Sequence, residues 1–412
     1  MSVSASSLST VGPSPLARVP AGLKFAVLFA VGILIYVVSS WPLVLAALAL
    51  AIVALAAAKV HPARLLRALS GLLIIIALVV VIGAFTRGYN AAAMYGVRLL
   101  ALCLFAFAVT MSTRFHQMLA VFERLFAPVR WLGFSSAQMS LGLSMTVRFI
   151  PEIRNTYFEV REAQHARGLQ GSPRAVLVPL IARTLQSAQE VALAIDSRCY
   201  DSEAASGGLF ARRRSSARAR VARAGTGSTA NTVHVAVVAA LIAALGLVPP
   251  ITLGVVPVPI TLQTLGVMLA GALLGPWRGM LACLVVVVLG FAGLPIFAGG
   301  AGGLGVLLSP SGGYIVGWAP GALVVGLLVK YLALRPRTLW LRYLLVAISA
   351  VLGGIGVVYA FGIPWTSVAG GISLKASLIG AGVFVPGDSA KAVITALVAV
   401  TIHRRYRSLL GA

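Results

Sequence analysis

Apolar stretches of near-membrane length recur along this chain, in two groups on either side of one polar segment. The first group has four runs, at residues 24–39, 42–58, 69–85 and 91–110. The second has six, at 233–248, 260–275, 279–296, 313–330, 339–361 and 386–402. A bilayer-spanning helix needs about 20 mostly apolar residues, so each run is a candidate span. Pro42 follows Ser39-Ser40-Trp41 and sits where a helix can begin, because its missing N–H would be unpaired there anyway. Arg87-Gly88-Tyr89-Asn90 makes a turn before the fourth run. Several runs of the second group are short and interrupted by Gly, a pattern that predicts close helix packing.

The polar segment, residues 114–203, holds eight of the nine acidic residues. From Arg148 through Glu152, Arg154, Glu159, Arg161, Glu162 and Arg167 the charges recur at helical spacing. Phe149, Ile153, Tyr157 and Val160 mark one apolar face of that helix. Gly168 and Gly171 stop it. Ser172-Pro173 starts another, with Ser as N-cap and Pro in the first turn. This second helix carries Leu177, Leu180, Ile181, Leu185, Ala188, Ala192 and Ile195 on one face, with a kink expected at Pro179. If helical to Tyr200 it is about 42 Å long, at about 1.5 Å per residue. That length predicts a helix lying along or near a membrane surface.

Composition agrees with a membrane protein. The chain is 59% hydrophobic and 10% charged, whereas soluble domains run at about 45–50% apolar and about 25% charged. The mean hydropathy is +0.99. A formal net charge of +24 raises nucleic acid as a partner, but the basic residues cluster between apolar runs, which is the positive-inside pattern. The 59–67 loop has three Lys/Arg, the Trp41 turn none and the Arg87 turn one. The N-terminus, that loop and Arg114 onward are therefore expected in the cytoplasm. In the second group, residues 330–342 carry four Lys/Arg and the tail carries Arg404, Arg405 and Arg407, so both ends of that half are expected there too.

Between Arg212 and Arg223 lie six arginines with no apolar period. Residues 204–231 read as a flexible basic linker, attracted to anionic headgroups. Residues 1–20, rich in Ser and Pro, read as a disordered tail. With only Arg18 ahead of the first run and no convincing small-residue cleavage site, a removable signal peptide is disfavoured. Cys103, Cys199 and Cys283 fall in separate elements without a CxxC, which disfavours a disulfide framework or a metal site. Arg98, inside the fourth run, either snorkels to an interface or faces a helix partner.

Both helices of the polar segment deliver an Arg near a C-terminus, between small neighbours: Ala166-Arg167-Gly168 and Ser197-Arg198-Cys199, 31 residues apart. A helix C-terminus favours the cation. Small neighbours admit a partner's surface, and a guanidinium can fork onto carboxylates or carbonyls. After four apolar runs, this pair resembles the paired Arg motifs of the transmembrane coupling (T) component of energy-coupling factor transporters, in its biotin-type (BioN-like) form. The resemblance covers roughly residues 20–203 and implies that Ala166, Arg167, Gly168, Ser197, Arg198 and Cys199 dock onto ATPase subunits. The family's second motif usually reads Arg-Gly, where this chain has Arg198-Cys199.

In the last 209 positions Asp388 is the only acidic residue. It lies in Pro386-Gly387-Asp388-Ser389-Ala390-Lys391, where Pro and Gly open a helix and Asp388 and Lys391 share a face at i and i+3. Two readings stand. Asp388 either caps the helix at the favoured end of its dipole, or forms with Lys391 a polar pair aimed into a pocket. A carboxylate accepts from N–H donors and an ammonium donates to a carbonyl, which suits a small group presenting both, such as a cyclic urea. The Gly-rich stretch from Phe297 to Gly303 has no GK[ST] and follows no strand, so it is no Walker phosphate loop. Its glycines predict a mobile external loop and close backbone approach to a ligand.

Four motifs in order then identify a second family: Pro257 to Thr264, Gly275-Pro276-Trp277-Arg278-Gly279, Gly312-Gly313-Tyr314, and the Asp388–Lys391 pair. Residues 232–405 resemble the biotin-specific substrate-capture (S) component, BioY-like. The resemblance implies a six-helix receptor in which Asp388 and Lys391 take the ureido group and Tyr314 and Gln263 belong to the pocket. Some relatives carry a basic residue within the Phe-Ala-Gly-Gly loop, where this chain has Ala301.

The expectation is thus an all-α polytopic membrane protein. Four transmembrane helices plus cytoplasmic coupling helices (21–203) would join through the 204–231 linker to a six-helix substrate-capture bundle (232–412). It would sit in a bacterial cytoplasmic membrane with both termini inside, binding no cofactor, metal or nucleic acid. It would contact membrane lipid and import biotin when ABC-type ATPase subunits of another chain drive it, because no Walker sequence occurs here. The alternative is a secondary transporter driven by an ion gradient; acidic ion ligands inside the runs are almost absent.

Overall fold

The structure, a computed structural model, describes residues 19–38, 40–58, 88–113, 136–168, 173–197, 218–251, 258–333 and 338–405, with isolated positions between them. Among the described residues every extended element is helical, and two isolated bridges, Ile251–Ile260 and Phe297–Ala301, are the β pairings.

The first half opens with α1 (Ala21–Val37), α2 (Trp41–Ala57) and α3 (Tyr89–Ser112). Pro42 sits in the first turn of α2, as its missing donor dictates. Leu23, Ile33, Leu45, Ile52 and Val53 face outward, which suits lipid rather than water. The third apolar run is described only at isolated positions; there Ile76 and Val80 lie against α3 beside Leu99 and Cys103. Arg98 of α3 is only 2% exposed, with its guanidinium 5.0 Å from the Tyr95 ring centroid. It faces neighbouring side chains and does not snorkel. Lys24 of α1 donates to the Ser112 carbonyl at 3.0 Å, placing a cation where the end of α3 leaves carbonyls without helical partners.

Two long helices follow, α4 (Ser136–Ala166) and α5 (Pro173–Ser197). The first begins well upstream of the charged pattern at Arg148. It ends where expected: the N–H groups of Arg167 and Gly168 donate to the carbonyls of Gln164 and His165, and Gly168 takes φ 72°. α5 buries one face against protein and leaves Arg183, Gln186, Glu190 and Leu193 exposed on the other. Leu177, Leu180, Ile181, Leu185, Ala188 and Ala192 are buried in one cluster with Val233, Val237 and Leu241 and with Ala396, Ala399 and Val400 of the second half. An apolar face of that width is better covered by protein than left at a wet interface.

The second half runs through α6 (Arg218–Gly246), α7 (Gln263–Leu274), α8 (Pro276–Phe291), the short α9 (Leu304–Leu308), α10 (Gly312–Ala333), α11 (Leu339–Ala369), α12 (Leu374–Gly382) and α13 (Val385–Arg405). Each of the six expected runs contains one long helix of this set. The linker expected to reach Asn231 is helical from Arg218 onward, continuing α6 backward; Ala and Arg are good helix formers. Residues 204–217, residues 1–18 of the 1–20 tail and all of the 59–67 loop lie outside the described residues.

α10 and α11 meet through glycines spaced four apart. A Cβ at Gly313 would collide with Trp365, one at Gly317 would sit 3.1 Å from Val358, and one at Gly321 2.9 Å from the Gly353 carbonyl. Small residues at this spacing let two helix backbones approach. α11 also contains a π turn, Leu352–Val357, just before Tyr359. Among the described residues four helices are long and apolar enough to cross a membrane (Tyr89–Ser112, Gly312–Ala333, Leu339–Ala369 and Val385–Arg404), and the shorter apolar helices pack among them.

Candidate functional site

The first turn of α13 carries Asp388, and its backbone N–H donates to the Phe384 carbonyl at 2.9 Å. One turn on, Lys391 Nζ donates to Asp388 Oδ1 at 2.7 Å, to the Thr264 hydroxyl at 2.9 Å and to the Thr261 carbonyl at 2.6 Å. The Thr264 hydroxyl donates to Asp388 Oδ1 at 3.1 Å, and the Tyr359 hydroxyl donates to Asp388 Oδ2 at 2.7 Å. α7, α11 and α13 thus converge on one carboxylate. Asp388 is 4% and Lys391 6% exposed.

Burying a charge costs several kcal/mol unless it is paired and hydrogen-bonded; here one ammonium and two hydroxyls answer one carboxylate. The hydrogen bonds of the Asp388 carboxylate go to side chains of three helices, which is the polar-pair arrangement and not a helix cap.

Tyr314 joins this cluster at one remove. Its ring meets Tyr359 edge-on at 5.6 Å and Phe384 at 6.3 Å, and lies flush against Gly362, where a Cβ would collide with it. The three rings make an apolar wall beside the charged pair. Gln263, next to Thr264 in sequence, points elsewhere. It is 1% exposed, and its amide nitrogen donates to the carbonyls of Ile296 at 2.9 Å and Ile242 at 3.4 Å. Its bonds tie α6 to the turn after α8.

Thr261, Thr264 and Tyr359 are the residues that sequence reasoning passed over. The two threonines lay inside the quoted Pro257–Thr264 motif, whereas Tyr359 is one aromatic in an apolar run and carried no signal.

The Gly-rich stretch is held rather than loose. Phe297 is buried, with its ring 5.4 Å from Phe291 and 6.0 Å from Trp318. The Phe297 N–H donates to the Ala301 carbonyl at 3.0 Å, and the Gly303 N–H to the Gly290 carbonyl at 2.7 Å. Gly299, Gly300 and Gly303 take φ of 69°, 78° and 88°. The glycines serve a tight turn around one aromatic anchor, which accounts for their number without mobility.

On the other half, Ala166, Arg167 and Gly168 are all exposed at the end of α4. Ser197 ends α5, and Arg198 and Cys199 lie outside the described residues. α4 and α5 are joined by the Ser187 hydroxyl, which donates to Glu152 at 2.8 Å.

Comparison with known proteins finds a different family in each half of the chain. The BioY family model matches residues 215–408, and the cobalt transport protein family model (CbiQ) matches residues 12–206. The Biotin transporter BioY of Rhizobium etli is 45% identical over 179 residues, covering 43% of this chain and 96% of that protein. The Energy-coupling factor transporter transmembrane protein BioN of Rhizobium etli is 33% identical over 193 residues, covering 47% of this chain and 96% of that protein. A crystal structure of the S-component for biotin from an ECF-type ABC transporter is 35% identical, covering 42% of this chain and 91% of that one, with a TM-score of 0.40.

Proposed function

Because the chain belongs to the BioY family through its C-terminal half and to the cobalt transport protein family through its N-terminal half, we propose that it is the membrane subunit of an energy-coupling factor importer that captures and takes up biotin. It is a multi-pass membrane protein in which a coupling unit and a capture unit are fused. The observation that carries the reading is the buried Asp388–Lys391 pair. A cyclic urea offers N–H donors and a carbonyl acceptor on one edge. Asp388 accepts from the N–H and Lys391 donates to the carbonyl, while Tyr314 and Phe384 flank the apolar remainder. The relatives are transporter components and not enzymes, so no catalytic residue is assigned.

The energy comes from ABC-type ATPase subunits in another chain. They dock on the cytoplasmic face, where Arg167 and Arg198 fork onto them. Both termini lie on that side of a bacterial cytoplasmic membrane. Tight capture supports this division of labour: a small ligand held at nanomolar affinity is bound by about 12 kcal/mol, and release against that needs work.

Labelled-biotin uptake tests the proposal in cells expressing the chain together with an ABC-type ATPase of the energy-coupling factor class. Uptake should survive an uncoupler while ATP is held constant, and should stop when ATP is depleted; the opposite pattern makes this an ion-driven carrier. Asp388→Asn should weaken biotin binding at least about 30-fold, because Lys391 keeps its buried charge without a counter-charge. Unchanged affinity in that variant removes the site.

A further inference from the structure

Tyr359 enters the site from a helix that contributes nothing else to the charged pair. Its hydroxyl is 2.7 Å from Asp388 Oδ2, and the residue is buried. The other carboxylate oxygen is already engaged: Oδ1 accepts from both Lys391 and Thr264. The ammonium is likewise committed, with Thr261, Thr264 and Asp388 as its acceptors. Among the described residues, then, Tyr359 alone donates to Oδ2. A carboxylate oxygen has two lone pairs in the carboxylate plane, so one remains.

The tyrosine is also held still. Its ring is edge-on to Tyr314 with an interplanar angle of 81°. It follows directly on the π turn at Leu352–Val357. One extra residue in a turn rotates everything after it by about 100°, since a helix has 3.6 residues per turn. That rotation sets which face of α11 Tyr359 occupies.

We infer that Tyr359 is a positioning residue that sets the ligand selectivity of this site: by filling one lone pair of Asp388 Oδ2 it leaves the carboxylate one place for one ligand N–H. A urea edge needs one such place, and its carbonyl then replaces one of the three acceptors of Lys391. A guanidine-like edge, which presents a fork of N–H donors, meets only one free acceptor place on the carboxylate and is discriminated against. The inference rests on the reading of the site as a biotin pocket.

The test compares biotin with 2-iminobiotin, in which the urea oxygen is replaced by nitrogen, in equilibrium binding to the purified full-length chain. Tyr359→Phe keeps the ring against Tyr314 and removes only the hydroxyl. Biotin affinity should fall about tenfold because the Asp388 carboxylate is no longer held in place before the ligand arrives, while iminobiotin, which can use the freed lone pair, changes less than about threefold or improves. The biotin-to-iminobiotin ratio should therefore drop at least about threefold. Equal losses for both ligands mean that Tyr359 only supports the fold, and overturn the inference.

Should the Phe variant fail to stay monodisperse, Tyr359→Gln keeps a donor without the ring. It should hold the ratio within about threefold of wild type, and a collapsed ratio overturns the inference. A wild-type chain that binds neither ligand sinks the biotin reading itself. A wild-type chain that binds biotin while the variants lose both ligands alike sinks only the role of Tyr359.

Discussion

The two halves of this chain keep their functional groups in opposite surroundings. In the second half, Asp388 and Lys391 are buried and held by hydrogen bonds among α7, α11 and α13. In the first, Arg167 stands exposed in a turn after α4 with small neighbours on either side. The difference follows from where each partner lives. A small ligand is surrounded, so its site must be assembled in the interior and is complete within one fold. A protein partner is met across a surface, so its site is half a site, and the other half belongs to another chain. α13 bridges the two: its first turn holds Asp388, while Ala396, Ala399 and Val400 further along pack on α5, the helix that ends at Ser197. On the proposed function, capture and coupling therefore meet where α13 packs on α5.

The largest expected effect separates the halves outright. Arg167→Glu combined with Arg198→Glu should cut biotin uptake at least about 100-fold, because a charge reversal at a forked contact loses several kcal/mol. Biotin affinity of the purified chain should stay within about twofold, since Arg167 lies outside the cluster around Asp388. Uptake at the wild-type rate makes these turns ordinary helix ends; a matching loss of affinity means that the halves are not separable in this way.

How much of this was legible in the sequence differs by half in the same manner. The six runs of the second half, the stop at Gly168 and the Asp388–Lys391 pair could all be read, because apolar period, turn glycines and an isolated acid are local signals. What could not be read depends on what comes to lie across from what. Leu180 and Leu185 look alike on a surface helix and on a buried one, and only the fold sets them against α6 and α13. Tyr359 is silent until α11 is laid beside α13. Gln263 is set by the fold in the same way. The resemblance implies a pocket residue, and its direction, toward the Ile242 and Ile296 carbonyls, is a property of the packed bundle.

Gln263→Leu sharpens that last point with a middle-sized effect. Two buried carbonyls lose their side-chain donor, which costs about 1–3 kcal/mol. The temperature at which half the detergent-purified chain stays monodisperse should fall by several degrees. Biotin affinity should change less than about threefold, because the amide is committed to α6 and the turn after α8. A loss of affinity beyond tenfold with unchanged thermal behaviour would return Gln263 to the binding site.

The smallest effect asks what holds α4 to α5. Their one ion pair among the described residues, Arg183–Glu159, spans 3.7 Å with side chains 56% and 69% exposed. Exposed pairs contribute about 0–1 kcal/mol, because water and salt screen them and two long side chains must be ordered. The same helices also share the Ser187–Glu152 hydrogen bond and a wide apolar cluster centred on Leu180, Ile181 and Leu185. Burial of one such side chain is worth about 1.5–3 kcal/mol, so the cluster outweighs the pair several-fold. Arg183→Gln should therefore leave uptake within about twofold and thermal behaviour within about 2 °C. A drop comparable to that of Gln263→Leu would mean that charge, not the apolar face, fixes the angle between the two coupling helices. Uptake would then have to weaken with rising salt, which an apolar contact does not do.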